Sequence, residues 1–131
     1  MLNQIIFPIK GTYYHEADKA FQMGLLNVGY PMEFKIESDN PHDSNAIQIW
    51  IKHGHDLRYL LGYVPRQLAL YWQPLLEQQN PEYRLTLHKS VAKGKLFRLE
   101  CQLSLKLNWL QRLHFKWLAF WIRQQYRFKH R

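Results

Sequence analysis

Asp39-Asn40-Pro41-His42-Asp43-Ser44-Asn45-Ala46-Ile47 runs from a cluster of turn formers, acids and amides straight into the alternating stretch Ala46-Ile47-Gln48-Ile49-Trp50-Ile51. A residue before proline is pushed out of the helical region, and Asp and Asn side chains bond backbone a residue or two on, so a stiff polar loop is expected at the start of a half-buried strand. Asp43 can accept hydrogen bonds from hydroxyls or amides, and His42 and Asn45 can each donate and accept. Such a loop suits either a self-satisfied turn or recognition of a polar ligand.

Outward from it, the dominant signal is a period of two. Gln4 to Ile9 is rich in β-branched and aromatic residues. Met32, Phe34 and Ile36 fall on one face of a second strand, and Ala46 to Ile51 with Leu57 to Val64 make a hairpin around Lys52-His53-Gly54-His55-Asp56. Tyr83 to His88 alternates again. Gly94 marks a turn, after which Phe97, Leu99, Cys101, Leu103 and Leu105 alternate with polar residues. Pro65 suits the start of a helix reaching about Gln78, with Leu68, Tyr71, Trp72, Leu75 and Leu76 on one stripe and Pro74 as a potential kink. His15 to Leu26 reads as a helical turn or a loop. These elements predict a mainly β fold: a small OB-like β-barrel of five or six strands with one or two helices over residues 1–106, since closure removes exposed sheet edges.

Residues 107–131 change character. At 100° per residue, Trp109, Leu110, Leu113, Trp117, Phe120 and Trp121 share one half of a helix and Arg112, Lys116 and Arg123 the opposite sector, with Asn108 as a cap. Charge is equally uneven. Residues 1–88 hold seven Lys or Arg against nine Asp or Glu, and residues 89–131 hold eleven against one. The basic part is expected to attract phosphate, on nucleic acid or on anionic lipid. The single cysteine, Cys101, excludes an internal disulfide and fits a reducing compartment. With neither a secretory leader nor a run of roughly 18 apolar residues, a cytoplasmic location is the expectation.

Three blocks, Gly11-Thr12-Tyr13-Tyr14, Asn40-Pro41-His42-Asp43-Ser44-Asn45-Ala46 and Leu61-Gly62-Tyr63-Val64-Pro65-Arg66, come in the order and spacing of the HIRAN domain, and residues from roughly 5 to 105 resemble that family. The resemblance implies an OB-type barrel that binds single-stranded DNA at a free 3′ end, in DNA repair or replication-fork processing, without chemistry or cofactor of its own. It implies that Asp43 accepts from the 3′ hydroxyl, that Asn40 supports the loop, that Tyr14 stacks on a base with Tyr13 beside it, and that Arg66 meets phosphate. Gly62 admits a close neighbour, and Tyr63 stands in the same block. His42 replaces the tyrosine or phenylalanine usual in the family; imidazole still stacks, over less area. Helicase or ubiquitin-ligase segments often joined to this domain are not found in the sequence, so such partners are expected as separate chains.

Other readings stay open at this level. Glu37, Asp39 and Asp43 could form the acidic set of a metal-dependent nuclease. His53-Gly54-His55, with no third ligand at recognisable spacing, reads as a turn rather than a metal site. The basic tail could pack on the barrel, join two copies into a homo-oligomer, extend a DNA path, or dock on a membrane surface or another protein.

Overall fold

The computed structural model describes residues 3–12, 15–53, 57–79, 82–93, 96–105, 117, 120, 121 and 124. Eight elements follow one another: β1 (Asn3–Pro8), α1 (Ala17–Gln22), β2 (Pro31–Ile36), β3 (Ile47–His53), β4 (Leu57–Tyr63), α2 (Arg66–Gln79), β5 (Tyr83–Lys93) and β6 (Leu96–Leu105). The strands form one antiparallel sheet in the order β1-β6-β5-β2-β3-β4. Alternation decides which side faces in. Ile5 and Phe7 of β1, Ile47, Ile49 and Ile51 of β3, Leu85 and Leu87 of β5, and Leu99, Cys101 and Leu103 of β6 are buried together. Cys101 is a buried free thiol, and burial pushes its pKa well up, which leaves it a packing residue.

α2 lies on this core through the expected stripe, with Leu68 and Trp72 buried. Trp72 meets Phe34 of β2 and Tyr83 of β5 edge-on, with centroids 6.0 and 6.4 Å apart. The Tyr83 hydroxyl accepts the Phe34 amide at 3.2 Å. Pro74 is accommodated inside the helix, which continues to Gln79. This packing fixes where the helix begins, and therefore where Arg66 stands.

The barrel expected from the strand count is not closed. β1 and β4, the two ends of the sheet, are tied at one bridge, Lys10 with Tyr63, through reciprocal backbone hydrogen bonds of 2.8 Å. The contact is short for local reasons. Pro8 ends β1 because it has no amide proton to extend a ladder. Gly11 then adopts φ 74°, a left-handed conformation that turns the chain away directly after Lys10. Farther along the β4 edge, Leu60 is covered by Glu16, whose amide donates to the Leu60 carbonyl at 2.8 Å while its carboxylate accepts the Leu60 amide at 3.1 Å. A side chain thus imitates a strand at an edge that would otherwise invite pairing.

Of the amphipathic tail, Trp117, Phe120, Trp121 and Gln124 are described, all in helical conformation. The Trp117 and Trp121 rings stack nearly parallel, 6.4 Å apart. The rest of that expected helix, including the Asn108 cap, lies outside the described residues. No helix among the described residues is long and apolar enough to cross a membrane.

Gly62 is the residue that permits the Lys10–Tyr63 bridge, because a Cβ there would collide with the Lys10 carbonyl oxygen and the Ile9 side chain. A backbone atom cannot step aside as a flexible side chain can. Gly62→Ala should therefore destabilise the fold by about 2–3 kcal/mol, read as a lower urea midpoint at unchanged slope.

Candidate functional site

The loop between β2 and β3 is closed by its own polar groups. Asn40 Oδ1 accepts the amides of His42 at 2.8 Å and Asp43 at 3.1 Å, and Asp43 Oδ1 accepts the Asn45 amide at 2.9 Å. Glu37 holds the two stems together: its amide donates to the Ala46 carbonyl at 2.9 Å, and its carbonyl accepts the Asn40 amide at 3.3 Å. The stiffness inferred from Asn-Pro and Asx chemistry is present, with Asn40 as the brace.

Asp43 is divided in its engagements. One oxygen serves the loop, and the other, Oδ2, lies 3.9 Å from Arg66 Nε. Arg66 also donates from a terminal nitrogen to the His42 carbonyl at 3.0 Å. Its side chain is 77% exposed against 21% for that of Asp43, so the ion pair is long and solvated and adds little to stability. The guanidinium can re-aim at modest cost. A pocket of about 530 Å³ opens between this loop and the first turn of α2, lined by Asn40, Pro41, His42, Asp43, Ser44, Asn45, Arg66, Gln67 and Leu70. α2 brings to it amides at the positive end of a 14-residue helix with no acid in its first turn, a setting that favours anions.

Among the residues marked by sequence, Asn40, His42, Asp43 and Arg66 thus share one pocket. Tyr63 does not line it. Its hydroxyl donates to Glu37 Oε2 at 2.6 Å, the oxygen that also accepts from Gln48 at 2.8 Å, and its ring lies 5.3 Å from that of His15. Burial, then the Glu37 hydrogen bond, raises the phenol's pKa above its ordinary 10.0. Tyr13 and Tyr14 lie outside the described residues; of their neighbours, Lys10 bridges to Tyr63 and the His15 ring lies against it. Arg66 thus joins the third block to the second at His42, and Lys10, just before the first block, bridges to Tyr63 of the third.

Of Glu37, Asp39 and Asp43, the acids weighed for a metal-dependent nuclease, Glu37 is taken up by Tyr63 and Gln48, and no three of His, Cys, Asp and Glu among the described residues gather closely enough to hold a metal ion. Gln67 and Leu70 were not anticipated as pocket residues. A signal was available in Leu70, an apolar residue off the buried stripe of α2 and 62% exposed at the pocket wall.

A HIRAN domain family model matches residues 2–109. The fold is similar to the HIRAN domain of human HLTF, at a TM-score of 0.61 and 12% identity over 86% of this chain and 83% of that one. It is also similar to a protein from Lactobacillus plantarum, at 0.63 and 22% identity over 80% and 95%. These two likenesses are of fold alone. No curated protein matches the sequence.

Two measurements probe the site. Asn40→Ala leaves two loop amides without their acceptor and should destabilise by about 1–2 kcal/mol, with faster hydrogen exchange at His42 and Asp43 than elsewhere. Because the raised pKa of Tyr63 favours the neutral phenol in the fold, its stabilisation is intact below pH 10.0 and is lost as pH rises through the raised value. The stability gap between the parent protein and Tyr63→Phe should therefore narrow above that pH in urea titrations.

Proposed function

The chain belongs to the HIRAN domain family, whose members are DNA-binding modules, and from that premise we propose that it binds single-stranded DNA by a free 3′ end held in the pocket between the β2–β3 loop and α2. The observation that carries this reading is the placement of an acid and a base side by side in one pocket, Asp43 Oδ2 3.9 Å from Arg66 Nε. A terminal nucleotide offers a matching pair of groups: a 3′ hydroxyl that donates and a phosphodiester that accepts. Asp43 takes the hydroxyl through the oxygen not engaged by Asn45. Arg66 swings from the His42 carbonyl to the phosphate, assisted by the first amides of α2. His42, exposed at the pocket, offers its ring to the terminal base, and Tyr13 and Tyr14 would stack on the bases behind it.

No covalent step is assigned to these residues, and none needs a cofactor. The module acts by holding a strand terminus, and would serve a helicase or nuclease in repair or at replication forks. A cytoplasmic location remains part of the proposal.

Oligonucleotides that differ only in a 3′ hydroxyl or a 3′ phosphate separate end recognition from general strand binding. The hydroxyl form should bind at least about tenfold tighter, the size of one charge-assisted hydrogen bond plus the repulsion of phosphate by Asp43. Asp43→Asn keeps an oxygen for the Asn45 amide while placing a donor where the hydroxyl donates, so it should erase that preference without unfolding the loop. Equal affinities for the two oligonucleotides in the parent protein would overturn end recognition.

A further inference from the structure

β5 and β6 outrun their neighbours. β1 covers β6 from Leu105 only as far as Glu100, and β2 pairs with β5 only at Leu85 and Thr86. Beyond Leu87, after a bulge at the Leu87/Lys89 step, the two strands go on pairing with each other from Lys89 with Glu100 to Lys93 with Leu96, past the last β1 partner, Pro8 opposite Glu100. An extension of two strands gains little stability by itself. Its inner side is nonetheless anchored, since Phe97 and Leu99 are buried and Phe97 lies 5.5 Å from Phe21.

The other face is cationic. Directly opposed residues of an antiparallel pair, and alternate residues along a strand, share a face. Lys89, Val91 and Lys93 therefore stand on one side, with Arg98 opposite Val91 and Glu100 opposite Lys89. Lys89, Val91, Lys93 and Arg98 are all exposed. Arg84 continues the row on β5 before the bulge and is also exposed. One acid stands among four cations, whereas at the end pocket Arg66 stands alone against Asp43.

The root of this extension adjoins the block carrying Tyr13 and Tyr14. Thr12 donates from its hydroxyl to the Phe97 carbonyl at 2.8 Å, and the Ile9 amide donates to the Leu99 carbonyl at 2.9 Å. The same segment reaches Tyr63 through Lys10 and His15. Glu37 thus links the pocket loop to Tyr63, Lys10 and His15 meet Tyr63, and Ile9 and Thr12 reach the β5–β6 extension.

We infer that the β5–β6 extension is a second nucleic-acid surface, on which Lys89, Lys93 and Arg98 receive the phosphate backbone of the same single strand as it leaves the end pocket. This rests on the proposed function and adds to it a direction of travel and a footprint longer than one terminal nucleotide. The occupant is chosen by charge. A backbone with one phosphate per nucleotide neutralises spaced cations in succession, and such contacts are indifferent to base identity.

The test uses the full chain and two oligothymidines with free 3′ hydroxyls, one of about 3 nucleotides and one of about 12, the latter within the usual span of a single-strand binding fold. The parent protein should bind the longer one tighter. Lys89→Gln with Lys93→Gln, both exposed changes, should weaken the longer one about tenfold near 0.15 M salt and reduce the salt slope by about 1.4, at about 0.7 per phosphate contact, while leaving the shorter one unchanged. The inference is overturned by equal affinities for the two lengths, by a double variant that binds the longer strand as the parent does, or by a gain with length seen only when the added nucleotides are paired in a duplex. Failure of the pocket reading is distinguishable. It appears as indifference of the short oligonucleotide to a 3′ phosphate, whatever the longer one does.

Discussion

The contact between the bare α-carbon of Gly62 and the carbonyl of Lys10 underlies the arrangement of this domain. The sheet would otherwise have two remote ends, because β1 and β4 lie at opposite extremes of the strand order. A single bridge draws them together and sets the 10–16 segment beside Tyr63, at the same end as the β2–β3 loop. Val64 then donates to the Ile47 carbonyl at 3.0 Å, which pins the β4–α2 turn to the start of β3.

The pocket is pre-organised on one side and adjustable on the other. Loop amides are saturated by Asn40 and Asp43 before any ligand arrives, so binding does not have to order the loop. Arg66, by contrast, is mostly exposed and held by one backbone acceptor and a long ion pair, both exchangeable for a phosphate. Glu37 joins the two regimes. Its backbone closes the loop stems and its carboxylate restrains Tyr63, so the loop and the β4–α2 turn are tied through one residue. Of the acids that composition alone could assign to a metal centre, Glu37 accepts from Tyr63 and Gln48, and Asp43 gives one oxygen to the Asn45 amide.

Charge is partitioned in a way that fits a binding module. The acidic residues lie mainly in the first 88 positions, where several cap, brace or pair, as Glu16, Glu37 and Asp43 do. Cations accumulate from Lys89 onward, on the β5–β6 extension and in the tail. Most of the cationic charge therefore lies away from the end pocket, where Arg66 stands beside Asp43.

Local pattern alone determined the strands, the β3–β4 hairpin, the inward stripe of α2 and the stiffness of the Asn40–Asn45 loop, because side-chain periodicity and Asx chemistry act over a few residues. The family resemblance also singled out four residues that share the pocket, since a motif carries spatial information that periodicity lacks. Tertiary structure decided what periodicity does not encode: which strands are neighbours, that the sheet stays open but for one bridge, that Tyr63 faces Glu37 rather than the pocket, and that Leu70 lines it. The far half of β5 shows the limit most clearly. Alternation reads cleanly to His88, and the bulge there shifts the phase by one residue, so Lys89 to Lys93 fall out of register with the pattern before them even though the strand continues. An inserted residue is invisible to a two-residue period, and only pairing with β6 reveals that the cations beyond it share a face.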